Sequence, residues 1–140
     1  AMEYRRFGDT LVVRLDPGEE ITEQMRTLAQ REHLLLANVQ GLGAVSQFTA
    51  GVYDLEKKQF LPREYRGTYE IVSLTGTINT MGGEFYCHLH MSAAGEDGLV
   101  VGGHLNRAVI SATGELVVTQ IQGRVDRRRD PDVGLNLFQF

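Results

Sequence analysis

Apolar and polar residues alternate with a period of two along most of the chain, the signature of strands with one buried face. Glu3 to Phe7 and Thr10 to Leu15 are two short β-prone runs parted by the turn dipeptide Gly8-Asp9, and Leu11, Val13 and Leu15 share a face. The period then changes to that of a helix. Ile21, Met25, Leu28 and Ala29 recur at helical spacing, with Glu20, Glu23, Gln24, Arg26 and Arg31 between them. Asp16 as cap, Pro17 at the first helical position and Glu19 completing a capping box predict a helix over about 17–33. His33 ends it, where a cation suits the helix dipole.

Strand patterns resume at Leu34–Gln40. Gly41-Leu42-Gly43 is expected to break that run, and Ala44–Tyr53 to form a new strand with Val45, Phe48, Ala50 and Val52 in the core. Asp54–Lys58 is a charged turn, and Gln59–Tyr65 returns. Tyr69–Ile78 alternates, with Ile71, Ser73 and Thr75 on one side and Val72 and Leu74 on the other. After a glycine-containing turn at 79–83 come a strand at Glu84–Ala93, a turn at 94–98, a strand at Leu99–His104 and another at Glu115–Gln122. The segment 105–114 fits either a short helix or a loop. Segment 123–132 is a polar break, followed by a last strand at about 134–140. No repeat, low-complexity stretch or linker interrupts the chain. The expectation is one α+β domain spanning 1–140, its core at about 3–127, with a mostly antiparallel sheet and one main amphipathic helix.

Composition narrows the function classes. A chain of 140 residues with 42% apolar and 23% charged residues suits one globular core. No apolar run approaches the roughly 20 residues needed to cross a bilayer, so no membrane partner is expected. Arg5 and Arg6 have no apolar run behind them, so no signal peptide is expected. The single cysteine, Cys87, excludes an internal disulfide and fits a reducing compartment, which makes the expected location cytoplasmic. A net charge of −4 is the wrong sign for a surface built to grip phosphates. Arg124, Arg127, Arg128 and Arg129 are the nucleic-acid candidates. They share segment 123–132 with three aspartates, for a net +1, and read better as a solvated loop.

The residues that carry candidate chemistry are His88, His90 and His104. On a strand, positions i and i+2 point to one side, so His88 and His90 project together with Leu89 turned away. The turn at 94–98 makes a hairpin that brings His104 beside the pair, and counting from a turn centred near Glu96 sets it opposite about His88. Gly102-Gly103 next to His104 permits a bulge or close backbone approach. Three neutral imidazoles on neighbouring strands suit Zn²⁺ or another divalent ion, with a fourth position open. The same pair can also be an ordinary polar strand face. Glu70 is a candidate to orient an imidazole or to ligate directly. Cys87 shares the face of Leu89 and reads as a buried small residue. Ser73, Thr75 and Thr77 can bind a polar ligand, though β-propensity also explains the threonines. Gly41–Ser46 matches neither a P-loop nor a dinucleotide fingerprint.

Four motifs in this order resemble the PPC (plants and prokaryotes conserved) domain: GLGAVS at 41–46, YEIVSLTGT at 69–77, HLHMS at 88–92 and GLVVGGHL at 98–105. The resemblance covers roughly residues 3 to 127. It implies an antiparallel α/β domain that commonly assembles as a homotrimer. In prokaryotic members it implies a metal site, mapped here onto His88, His90 and His104. It also brings a DNA-binding label, carried largely by analogy with plant proteins in which an AT-hook precedes the domain. No Arg-Gly-Arg-Pro core occurs in this chain, so the usual minor-groove arm is missing. Three functional readings therefore stand. One is a metal-dependent binder of a small ligand, with or without an unassigned reaction; the others are a DNA-binding regulator and a self-association module without chemistry.

Overall fold

The structure is a computed structural model and describes residues 1–140. It consists of β1 (Glu3–Phe7), β2 (Thr10–Leu15), α1 (Ile21–Glu32), β3 (Ala37–Asp54), β4 (Gln59–Met81), β5 (Glu84–Ala94), β6 (Val100–Gln120), β7 (Asp126–Arg129) and β8 (Asn136–Gln139). Six strands form one antiparallel sheet in the order β1-β2-β6-β3-β4-β5, and β7 and β8 form a separate hairpin. β5 also pairs with β6, so β3, β4, β5 and β6 close into a ring. The closure turns on one residue. His104 pairs with Gly51 of β3 and with His90 of β5, and so belongs to both ladders.

The alternation in β2 buries Leu11, Val13 and Leu15, while α1 buries Ile21, Met25, Leu28 and Ala29 against β5 and β6. Phe48, Leu74, Ile78, Leu89, Leu116 and Val118 complete the centre of one continuous core. The mostly antiparallel sheet with a single helix is therefore as expected.

Local boundaries differ for identifiable reasons. The helix begins at Ile21 rather than near 17, with Glu20 as its cap. Gly18 adopts a left-handed φ of 88°. Its N–H donates to the Ile110 carbonyl at 2.8 Å, and the Ile110 N–H donates to the Glu19 carbonyl at 2.9 Å. Residues 16–19 thus form a turn laid on β6. Half of the expected capping box forms, because the Asp16 N–H donates to the Glu19 carboxylate at 2.7 Å, but it closes that turn. At the other end His33 is left-handed, with φ 54°, and its backbone N–H closes onto the Ala29 carbonyl.

Gly41-Leu42-Gly43 does not break β3. The strand absorbs it through register shifts at Gly41/Gly43 and Val45/Gln47. Val52, expected in the core, is exposed. A further shift at Ile71/Ser73 puts both Ile71 and Leu74 inside and leaves Val72 and Ser73 exposed. Segment 105–114 is strand, in the middle of β6. Buried Leu105 and Ala108 are three apart because the β3–β6 ladder shifts between Thr49 and Ala50, and the bulge mimics helical spacing. The polar break at 123–132 contains β7, which pairs with β8.

Candidate metal centre

The histidines reach one place through strand parity and the ring closure. On β5, Leu89 is buried and Cys87 packs against the core, so His88 and His90 emerge on the opposite side. His88 stands opposite Thr77 and His90 opposite Thr75. The β5–β6 register places His104 opposite His90, not His88. Ala94 pairs with Val100, which centres the turn on Asp97, one residue later than expected. Gly98 makes this possible with a left-handed φ of 79°. Close backbone approach supports the placement. A Cβ at Gly76 would collide with the His88 carbonyl oxygen, and one at Gly102 with the Met91 carbonyl oxygen.

His88 Nε2 and His90 Nε2 are 3.2 Å apart. Ring centroids are separated by 5.1 Å for His88–His90, 5.0 Å for His88–His104 and 5.6 Å for His90–His104. One nitrogen from each ring lies within 4.8 Å of the others. Tetrahedral zinc with bonds of about 2.0–2.1 Å sets its nitrogen ligands roughly 3.3–3.4 Å apart. The His88–His90 pair already has that spacing, and His104 offers a third nitrogen within 4.8 Å of both. The residues present therefore fit a divalent ion. Burial, then the neighbouring His104 and His90 rings and Arg127, pushes the His88 pKa down to about 4. Burial and His90 also lower that of His104. Both effects favour the neutral imidazole, the form that donates a lone pair.

The cluster opens into a cavity of about 900 Å³. Thr75 and Thr77 line it, whereas Ser73 does not. Phe60 sets its ring edge-on to His104 at 5.3 Å. The far wall comes from the β7–β8 hairpin, which contributes Arg127, Asn136 and Phe138.

Arg127 is the main departure from the sequence reading. It is only 7% exposed, not part of a solvated loop. Its Nε–H donates to Asn79 Oδ1 at 3.0 Å and its Nη1 to the Asn136 carbonyl at 2.9 Å. The guanidinium lies 4.7 Å from the Tyr86 ring centroid and 4.3 Å from that of Phe138. Arg124, Arg128 and Arg129 are exposed and stay outside the cavity. Glu70 is exposed, pairs with Ala94 and is not brought to the histidines. Cys87 is turned inward, and burial pushes its thiol up to about 12. Tyr86 was legible by parity, two residues before His88 on the same face. Nothing in the local pattern marks Arg127, whose role depends on the fold of a distant hairpin.

The comparisons with known proteins agree with this architecture. The profile of the Plants and Prokaryotes Conserved (PCC) domain matches residues 2–122. The chain belongs to that family. A crystal structure of a proposed DNA-binding protein from Bacteroides thetaiotaomicron superposes with a TM-score of 0.96 at 29% identity, covering 99% of this chain and 97% of its own. A metal-containing protein from Archaeoglobus fulgidus superposes with a TM-score of 0.87 at 30% identity, covering 100% of this chain and 99% of its own. Among curated proteins, the bifunctional protein GlmU of a Synechococcus strain is 29% identical over 125 residues, 87% of this chain. This chain spans only 19% of that GlmU. No helix is long and apolar enough to cross a membrane.

Proposed function

We propose that this PCC domain is a metal-dependent binding domain in which His88, His90 and His104 hold a divalent ion, with zinc the first candidate. The observation that carries the reading is the convergence of three imidazoles, one nitrogen from each within 4.8 Å, at the floor of a walled cavity. The A. fulgidus relative, called metal-containing, supports it. His88, His90 and His104 would hold the ion with three nitrogens, and a bound ion would supply Lewis acidity or a water of lowered pKa beside the cavity. The chain's own part is to keep the rings neutral and aimed, and to wall the position with Phe60, Phe138 and Arg127.

The domain works as a homotrimer in this proposal. Supporting it, Val12, Leu42 and Val72 are exposed apolar residues lining one groove of the outer sheet face, a surface suited to burial between copies. DNA binding is the second reading, favoured by the name of the Bacteroides relative. The net charge of −4 and the sequestered Arg127 count against it.

Metal analysis of protein purified without a nickel column tests the first reading. Bound ion that is lost on substituting the three histidines supports it. Metal-free protein whose melting is unchanged by chelator or added zinc sinks it. Titration with duplex DNA at two salt concentrations tests the second, which requires tight binding that weakens steeply with salt.

A further inference from the structure

The cavity beside the histidines contains a buried cation with no counter-charge. Arg127 is 7% exposed and makes no salt bridge, and no Asp or Glu lines the cavity. The neighbouring Asp126 is committed elsewhere, accepting from Thr80 Oγ1 at 3.1 Å and from the Gly82 N–H at 3.2 Å. A buried guanidinium without an anion is costly unless it gains one. Its donors are also only partly used. Of five N–H groups, one goes to Asn79 and one to Asn136, which leaves three. Tyr86 and Phe138 lie against the guanidinium, so it is reached along its N–H edge. A planar carboxylate matches such an edge.

The remaining walls say what else the ligand carries. Phe60, Phe138, Leu135 and Leu137 are apolar, and about 900 Å³ accommodates a small organic molecule. The anchor comes from β7 and β8, residues 126–139, beyond the stretch 2–122 matched by the family profile. This hairpin therefore adds a recognition element to the histidine floor.

We propose that the cavity takes a small organic carboxylate, its charge held by the free N–H edge of Arg127 and its apolar body against Phe60 and Phe138. The inference deepens the metal reading, since a bound ion would be a second anchor for the same ligand. It does not need the ion, because the uncompensated guanidinium is present without one.

The test is calorimetric titration of the full chain, both chelator-treated and zinc-loaded, with valerate, its neutral isostere valeramide, and inorganic phosphate. Valerate should bind at least about tenfold tighter than valeramide, the lower end for a charge-assisted contact. In the chelator-treated chain Arg127→Gln should abolish that preference, and Arg127→Lys should restore part of it. Valeramide binding the chelator-treated chain as tightly as valerate, or no binding of valerate to that form, overturns the proposal. Phosphate binding as tightly as valerate overturns the carboxylate assignment. A preference for valerate in the chelator-treated chain supports the proposal even if zinc is never retained, so failure of the metal reading is distinguishable. The wild-type valerate–valeramide comparison stands if Arg127→Gln does not fold.

Discussion

Gly76→Ala isolates the step that brings the histidine strand into place. Gly76 sits on β4 opposite Leu89, between the pairs Thr75–His90 and Thr77–His88. An added Cβ would fall on the His88 carbonyl oxygen, 2.8 Å from Leu89 Cα and 2.9 Å from the His88 carbonyl carbon. Ordinary contact begins at 3.4 Å, and the obstructing atoms are backbone, which cannot rotate away. The strands must part locally. Overpacking of this kind costs about 1–3 kcal/mol, and weakening one or two ladder hydrogen bonds adds about 1 kcal/mol each. The expected loss is ~2–5 kcal/mol, measured by urea unfolding, with zinc retention reduced because His88 moves with its carbonyl. Gly123→Ala is the control, since a Cβ there meets nothing within 4 Å. A Gly76→Ala variant within about 0.5 kcal/mol of wild type, the scatter of ordinary surface substitutions, would refute the placement of β4 against β5.

Three further outcomes are expected. Glu20 is buried, and its carboxylate accepts from the N–H groups of Thr22 and Glu23 at 3.0 Å and of Ala108 at 2.9 Å. Glu20→Ala should therefore cost about 2–4 kcal/mol in urea unfolding, more than a surface helix cap; a loss below about 1 kcal/mol contradicts this. Cys87, with its thiol pushed up to about 12, should resist iodoacetamide at neutral pH in the folded chain and react once urea unfolds it; labelling at the rate of a free thiol contradicts the burial. Because the folded His88 pKa is lowered to about 4, the unfolded chain binds the proton first. In metal-free protein this contribution is fully present above pH 6.5 and is lost as pH falls from 6.5 toward 4. Unfolding free energies measured across that window should decline less in His88→Gln; identical slopes refute the assignment.

Strand parity and ring closure explain what could be read from the linear pattern. His88 and His90 were legible as a pair because β5 alternates without interruption there. His104 was legible as a neighbour because a short turn joins β5 to β6, but its register moved by one turn position once Gly98 took a left-handed conformation. The helix face was legible from Ile21, Met25, Leu28 and Ala29. Its start was not, since the Asp16–Glu19 signals close a turn held by Ile110, a residue far along the chain. The bulges hid β6, because Leu105 and Ala108 acquire a spacing that belongs to helices. Arg127 was hidden for a related reason. Its burial comes from Asn79, Tyr86, Asn136 and Phe138, which the fold gathers from three separate strands.

The central claim, that three imidazoles form a metal centre, is tested most directly by elemental analysis of the chain purified without an immobilised-metal column. Wild-type protein should carry about one equivalent of a divalent ion, as three ligands around a single centre require. Substituting His88, His90 or His104 by Ala should lower that occupancy, and a chelator should lower the melting temperature of wild type alone. Metal-free wild-type protein that gains neither metal nor stability from added zinc would contradict the account.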